Sequence, residues 1–209
     1  GRNAILGADL NYDFKTDLVF ATPGGVRIYR QETPQRFVDV TAKAKLPAEI
    51  VNGSYTGAWA FDFDLDGDLD VVLGVPRGEP VVLRNNGDGT FMPVHPFNGV
   101  DGVAAFTFGD IDGEGVPDVA LIDGHGKLQV FRNQRQGVFR PRNVPPHLAD
   151  GNLALAAGDV NGDGLIDFVL LRSDFSISRL SGRGSGREWN FAEIARVSPA
   201  NGAEPRTLL

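Results

Sequence analysis

The apolar residues of this chain occur in short runs separated by clusters of Asp, Asn and Gly. Gly57–Phe61 runs into one such cluster, and residues 71–75 leave it. Short runs of small or β-branched residues, bounded by turn residues, are typical of β-strands. No segment shows apolar residues at the spacing of one helical face. The pattern therefore predicts an all-β protein.

The polar clusters repeat along the chain. Clusters of the same layout begin at Asp9, Asp62, Asp110 and Asp159, which are 53, 48 and 49 residues apart. A fixed period of this kind indicates stacked copies of one supersecondary unit. We predict a single repeat domain over residues 1–209, with units at about 1–50, 51–100, 101–150 and 151–200 and a C-terminal tail at 201–209.

Each unit has four strand-like segments, with one on either side of the cluster. The third segments end at Arg30, Arg84, Arg132 and Arg179, and the fourth contain Phe37, Phe91, Phe139 and Phe191. Four-stranded units of this length predict the antiparallel blades of a β-propeller. Ala and Gly dominate the first segment, as expected where blades converge on an axis. A β-solenoid is the main alternative, but its coils are usually shorter.

Composition and charge narrow the function classes. The chain has no Cys, which excludes disulfides and thiolate metal sites, and no apolar run long enough for a membrane span. The formal net charge of −7 does not favour nucleic-acid binding. The four clusters contain 15 of the 27 acidic residues. Four bound divalent cations would bring the formal charge to about +1.

Oxygen-bearing side chains recur at positions 1, 3, 5 and 9 of each cluster, and such a loop suits a hard cation with about six to eight oxygen ligands. By analogy with EF-hand loops, position 7 would contribute only its backbone carbonyl. Glycine at position 6 permits a sharp turn in loops 2 to 4, whereas loop 1 has Phe14 there. We predict up to four Ca²⁺ ions, with loops 2 and 4 matching the pattern best. The predicted ligands are Asp9, Asn11, Asp13, Lys15 and Asp17 in loop 1; Asp62, Asp64, Asp66, Asp68 and Asp70 in loop 2; Asp110, Asp112, Glu114, Val116 and Asp118 in loop 3; and Asp159, Asn161, Asp163, Leu165 and Asp167 in loop 4.

A single loop of this composition is as readily an ordinary turn, because Asp, Asn and Gly are turn residues. Turn formation does not require acidic residues at the same positions in four loops. The five carboxylates of loop 2 would also repel one another without a cation. The recurrence therefore favours calcium.

The loops, together with the segment Leu83-Arg-Asn-Asn-Gly-Asp-Gly-Thr-Phe91, resemble FG-GAP/VCBS repeats, the propeller blades of integrin α subunits and many bacterial surface proteins. Residues 36–46 are similar to a phrase of cartilage-acidic-protein-like relatives. The resemblance implies the calcium ligands named above at positions 1, 3, 5 and 9 of each loop. It also implies a ring of seven or eight blades, so that this chain would be part of a larger propeller or self-associate, with a compact four-bladed ring as the alternative.

These observations predict a calcium-binding propeller, with structural calcium, that binds a protein or glycan outside the cytoplasm, as in cell adhesion. An extracellular, periplasmic or cell-surface location is expected because loops of this type fill at millimolar calcium. The alternative is the scaffold of a carbohydrate-active lyase or hydrolase, although no nucleophile with a matching base stands out. Arg30, Arg84, Arg132 and Arg179 are expected at equivalent blade positions, either as an anion-binding ring or as exposed strand ends.

Overall fold

A computed structural model of the chain describes residues 3–183 and 188–198. These residues form four antiparallel sheets of four strands each, in which the strands lie in chain order. Sheet 1 contains β1 (Ile5–Ala8), β2 (Asp17–Thr22), β3 (Gly25–Thr33) and β4 (Arg36–Asp39); sheet 2 contains β5 (Gly57–Phe61), β6 (Asp70–Gly74), β7 (Val81–Asn85) and β8 (Phe91–Val94). Sheet 3 contains β9 (Ala105–Gly109), β10 (Asp118–Ile122), β11 (Leu128–Asn133) and β12 (Phe139–Arg142); sheet 4 contains β13 (Asn152–Gly158), β14 (Asp167–Arg172), β15 (Ser176–Arg183) and β16 (Glu188–Arg196). The predicted all-β fold of four-stranded propeller blades is confirmed.

Two single-turn helices interrupt this pattern. Helix α1 (Ala48–Val51) connects sheets 1 and 2, and helix α2 (Pro146–Ala149) connects sheets 3 and 4. No helical period is visible in the sequence at these two places, because one turn is too short to show one. A proline precedes or begins each helix, at Pro47 and Pro146, which is where a fixed φ favours helix initiation. Neither helix is long enough to cross a membrane, and the described residues contain no other.

The chain divides into two compact units. The first consists of Gly1–Val103 with Arg135–Val138, and the second of Ala104–Gln134 with Phe139–Leu209. In the first unit, Val19 and Ile28 of sheet 1 share a core with Leu73 and Leu83 of sheet 2. In the second unit, the core joins sheets 3 and 4 and includes Ala120, Val130, Phe168 and Leu170.

The second strand of a blade is buried on both sides in sheets 2 and 3. All five residues of β6 and of β10 are buried. A strand covered on both faces reads as a continuous apolar run, as in Val71, Val72 and Leu73. The strand that leaves each acidic cluster is an interior strand of its sheet, and in sheets 2 and 3 it is also fully buried.

The first strand of a blade needs small residues because another chain segment approaches it closely. The backbone N–H of Ala58 donates to the carbonyl of Asn3 at 2.9 Å. A Cβ added at Gly57 would lie 2.8 Å from the Cβ of Asn3. The Gly- and Ala-rich composition of β5 thus permits the backbone contact.

Sheet 1 has one covered face and one open face. Val19 and Ala21 are fully buried against sheet 2, whereas Leu18 and Phe20 are only partly buried. On the open face, the rings of Phe20 and Tyr29 meet edge to face with centroids 5.5 Å apart. These two residues line an apolar hollow of about 260 Å³ with Leu18, Arg27 and Phe37.

Candidate metal centre in the acidic loops

The four acidic loops share one backbone conformation. Positions 4 and 6 have a positive φ in every loop, at Tyr12 and Phe14, Leu65 and Gly67, Gly113 and Gly115, and Gly162 and Gly164. Position 4 has a glycine only in loops 3 and 4, so the sequence did not indicate the turn at Tyr12 and Leu65. Loop 1 adopts the conformation without any glycine, with φ of 56° at Tyr12 and 61° at Phe14. Each such residue costs about 1–2 kcal/mol, so the blade, rather than glycine, imposes the loop.

The aspartate at position 1 organises the loop through the backbone. In loop 3, Oδ1 of Asp110 accepts the N–H groups of Gly113 and Glu114 at 2.9 and 3.0 Å, and Oδ2 accepts that of Gly115 at 2.8 Å. Asp159 of loop 4 receives the same three bonds. These contacts are those of an Asx turn, so position 1 has a structural role that is independent of any ion.

The aspartate at position 9 is the first residue of the second strand, and it is buried in all four blades. Asp70 accepts the N–H of Phe63 at 2.8 Å through Oδ2 and that of Asn85 at 2.7 Å through Oδ1. It thereby ties its loop to the third strand of the same blade. Burial raises the pKa of Asp70 to about 7 and, for the same reason, that of Asp118 to about 7. A cation close to either carboxylate would oppose that shift.

Loop 2 brings three carboxylates together. Asp62, Asp64 and Asp70 each offer an oxygen, and these oxygens lie within 4.8 Å of one another. This is the one such group among residues 3–183 and 188–198. Oδ1 of Asp62 and Oδ1 of Asp64 are buried and have no hydrogen-bond partner. The side chain of Asp64 is only 9% exposed. Buried carboxylate oxygens without a donor are costly unless a cation is close.

Loops 2 and 3 also contain an ion pair with an arginine from the third strand. In loop 2, Arg84 Nε lies 2.5 Å from Asp64 Oδ2, and Arg84 Nη2 lies 3.2 Å from Asp66 Oδ2. In loop 3, Arg132 Nε lies 3.3 Å from Asp112 Oδ2, and its Nη2 donates to Glu114. These arginines therefore contact the acidic loop of their own blade, a role that the sequence did not indicate.

Loops 1 and 4 are held differently. In loop 1, Lys15 Nζ lies 3.1 Å from Asp13 Oδ2, although position 7 was expected to offer only its carbonyl. The side chain of Asn11 has a buried Oδ1 without a hydrogen-bond partner. In loop 4, Asp159, Asn161 and Asp163 are exposed, and Asn161 donates to Asp163 Oδ2 at 2.8 Å. Loop 4 thus satisfies its polar groups internally to a greater extent than loop 2.

The strand register corrects the predicted set of equivalent arginines. Arg179 pairs with Val169 of the second strand. In sheets 1, 2 and 3, the third-strand residues at the position of Arg179 are Ile28, Val82 and Val130. The position of Arg84 and Arg132 is occupied in sheet 4 by Ser181, whose hydroxyl donates to Asp167. Arg179 was therefore wrongly grouped with Arg30, Arg84 and Arg132. The spacing agrees with the register, because Ser181 lies 22 residues after Asp159, as Arg84 and Arg132 do after Asp62 and Asp110, whereas Arg179 lies 20 residues after it.

Beside loop 2, the first unit has an open cleft of about 670 Å³. Asp64, Asp66 and Arg84 form its charged side. Met92 and His95 line it as well. The cleft therefore has charged groups and an apolar surface close to the carboxylate group of loop 2.

Comparison with known families agrees with this architecture. A family model described as an FG-GAP-like repeat matches residues 9–73, 62–121 and 115–170. The chain belongs to the FG-GAP-like repeat family. Each matched segment of this FG-GAP-like protein begins at or close to an acidic loop. No curated protein matches the sequence.

Two solved structures are similar to this FG-GAP-like chain in fold. One is an Agrocybe aegerita lectin described as recognising non-reducing terminal N-acetylglucosamine, at 19% identity and a TM-score of 0.68 over 92% of this chain and 52% of the lectin. The other is a mutant Tc holotoxin pore of Photorhabdus luminescens, at 21% identity and a TM-score of 0.55 over 90% of this chain and 9% of the toxin chain. The FG-GAP-like chain therefore spans about half of the lectin and a small part of the toxin. At these identities the likeness shows the fold alone.

Proposed function

We propose that this chain is a calcium-binding propeller module that recognises a glycan or protein ligand outside the cytoplasm. The observation that carries the calcium assignment is the gathering of Asp62, Asp64 and Asp70, with a buried and unpartnered Oδ1 on each of the first two. A hard divalent cation is the group that such a set of carboxylate oxygens fits. Membership of the FG-GAP-like repeat family supports the same assignment.

The residues of loop 2 that would hold the ion are Asp62, Asp64, Asp66 and Asp70, with the backbone carbonyl of Asp68. The corresponding residues of loops 1, 3 and 4 stay predicted ligands. In loop 3, the buried Oδ2 of Asp118, which has no hydrogen-bond partner, supports the assignment. A bound ion would neutralise the clustered carboxylates and tie the first strand of each blade to the second.

Calcium titration of the wild-type protein and of Asp64→Asn by isothermal calorimetry tests the assignment. We expect the variant to lose one binding event, because the amide replaces a charged ligand. The matched control is Asp88→Asn, which changes the same charge in the same blade. Asp88 lies in the turn between β7 and β8, where it accepts the N–H of Thr90 at 2.9 Å. Wild-type protein that takes up no calcium, or an Asp64→Asn isotherm equal to that of wild type, would contradict the proposal.

The same titration bears on location. Extracellular calcium modules bind with dissociation constants of about 10⁻⁴–10⁻³ M, a range that is filled only outside the cytosol. We expect affinities in this range, because the loops have exposed residues such as Asp66 and Glu114. Submicromolar affinity in all loops would remove the argument for an extracellular, periplasmic or cell-surface location.

Of the two classes of ligand, we favour a glycan over a protein. The similarity to a lectin supports it, and the cleft beside loop 2 supplies polar groups next to an apolar surface. We expect binding on an array of glycans, including those that end in N-acetylglucosamine, in the presence of calcium and not in excess chelator. An array without any bound glycan would leave a protein ligand as the remaining candidate.

The carbohydrate-active lyase or hydrolase has less support. His125 lies in the turn between β10 and β11, where its N–H donates to Asp123 Oδ1 at 2.8 Å. His147 packs edge to face on Phe191, with ring centroids 4.8 Å apart. The backbone of His125 is thus part of the turn, and the ring of His147 has a packing role. Release of sugar products from a bound glycan would favour the enzyme instead.

Additional blades or self-association also stay part of the proposal. The open face of sheet 1 supports them, because Leu18 and Phe20 occupy the register positions of Val71 and Leu73, which are fully buried in sheet 2. Such a face is suited to packing against another blade. A compact monomer in light scattering would count against self-association.

A further inference from the structure

The two carboxylate oxygens of Asp64 have different surroundings, because Arg84 contacts only one of them. Oδ2 of Asp64 lies 2.5 Å from Arg84 Nε, whereas Oδ1 is buried and has no hydrogen-bond partner. The guanidinium also reaches Asp66 Oδ2 at 3.2 Å, and Oδ1 of Asp66 accepts the N–H of Asp68 at 3.0 Å. A planar guanidinium that contacts two carboxylates restricts both more than a single point contact would.

We propose that Arg84 is a positioning residue of the loop 2 calcium site. By holding Oδ2 of Asp64 and Asp66, it fixes these side chains and leaves Oδ1 of Asp64 for the group formed with Asp62 and Asp70. The inference rests on the proposed function, since it concerns the calcium site of that function. Groups that orient metal ligands from outside typically change metal affinity by about 10- to 100-fold when they are removed.

Comparison of the blades supports a link between the arginine and position 3. In loop 3, which has Asp112 at position 3, Arg132 makes the corresponding two contacts. In loop 4, position 3 is the neutral Asn161, and Ser181 occupies the strand position of the arginine. In loop 1, position 3 is Asn11, and the Nε of Arg30 has no hydrogen-bond partner. In loops 2 and 3, where an arginine contacts the residue at position 3, the position 3 residue is an aspartate.

The positive charge of Arg84 has an opposite effect, because it repels a bound cation. A variant that removes the charge would lose the positioning of Asp64 and also the repulsion of the cation, and these two changes have opposite effects on calcium affinity. Lysine keeps the charge but replaces the planar fork with a single ammonium group. Arg84→Lys therefore separates positioning from charge.

The experiment is a calcium titration by isothermal calorimetry of wild type, Arg84→Lys, Asp64→Asn and Arg30→Lys. The binding event that Asp64→Asn removes identifies loop 2. We expect Arg84→Lys to weaken that event about tenfold or more and to leave the other events unchanged. Arg30→Lys is the matched control, since it makes the same change in the same unit, and it should leave the loop 2 event unchanged. The melting temperature in excess chelator should be close to that of wild type for Arg84→Lys, because lysine keeps a positive charge beside the buried carboxylate of Asp64.

The outcomes distinguish this inference from the proposed function. If wild type binds no calcium, both are overturned. If Asp64→Asn removes a binding event while Arg84→Lys binds as tightly as wild type or more tightly, the positioning role alone is wrong. If Arg84→Lys does not fold, Arg132→Lys provides the same test in loop 3, with Asp112→Asn identifying the binding event.

Discussion

Excess EGTA should lower the melting temperature of the calcium-loaded protein by about 5–10 °C for each site that calcium fills. A ligand present at about 100 times its dissociation constant stabilises the folded state by about 2.7 kcal/mol. For a chain of this size, 1 kcal/mol shifts the melting temperature by about 2–4 °C. The physical source of the stabilisation is the neutralisation of the carboxylates that loop 2 gathers. Differential scanning calorimetry with and without EGTA measures the shift.

Two controls make this result specific. Asp64→Asn should show a smaller shift on addition of EGTA, because one site is already lost. The addition of magnesium after chelation should restore little of the stability, since this ion demands stricter geometry and gives up its waters reluctantly. Superimposable melting curves before and after removal of calcium would contradict a structural role for the ion.

Gly25→Ala should destabilise the first unit by about 3 kcal/mol or more, through backbone strain and overlap together. Gly25 begins β3 with a φ of 116°, a conformation that alanine rarely adopts. An added Cβ would also overlap the carbonyl oxygen of Val51 at the end of α1. That oxygen cannot easily move, because it accepts a hydrogen bond from Arg27 Nη1 at 2.9 Å. Urea denaturation followed by circular dichroism measures the change.

The neighbouring residue supplies the control for this prediction. A Cβ added at Gly24 would have its nearest contact at 3.7 Å, with Thr22 Oγ1, and Gly24 is not among the described residues of positive φ. Gly24→Ala should therefore leave stability unchanged or raise it by about 0.4–1 kcal/mol. Equal destabilisation by the two substitutions would show that the turn, rather than the contact with Val51, limits the position.

The repeat was readable from the sequence because the features that create it are local. The Asp at position 1 and the Asp at position 9 stand eight residues apart in each loop, and each has backbone partners that the blade dictates. The buried second strands appear as apolar runs for the same reason. Blade architecture and loop positions could therefore be predicted without coordinates.

Features that depend on the pairing register of the strands could not be predicted from the sequence. Arg84 lies 20 residues after Asp64, and only the pairing of β6 with β7 brings the two side chains together. The misplacement of Arg179 has a different origin, since Ser181 lies 22 residues after Asp159, as Arg84 and Arg132 do after Asp62 and Asp110, and only the residue type drew attention to Arg179. The positive φ of Tyr12 and Leu65 was invisible because the blade imposes it on residues that do not favour it.

The open face of sheet 1 has a consequence for how such chains change length. Leu18 and Phe20 occupy register positions that are fully buried in sheet 2, so the first blade already has the surface of an internal one. A blade gained by gene duplication ahead of this one would therefore meet an apolar patch at Leu18 and Phe20. It would also have to accommodate Arg27, which stands at the register position of the buried Val81.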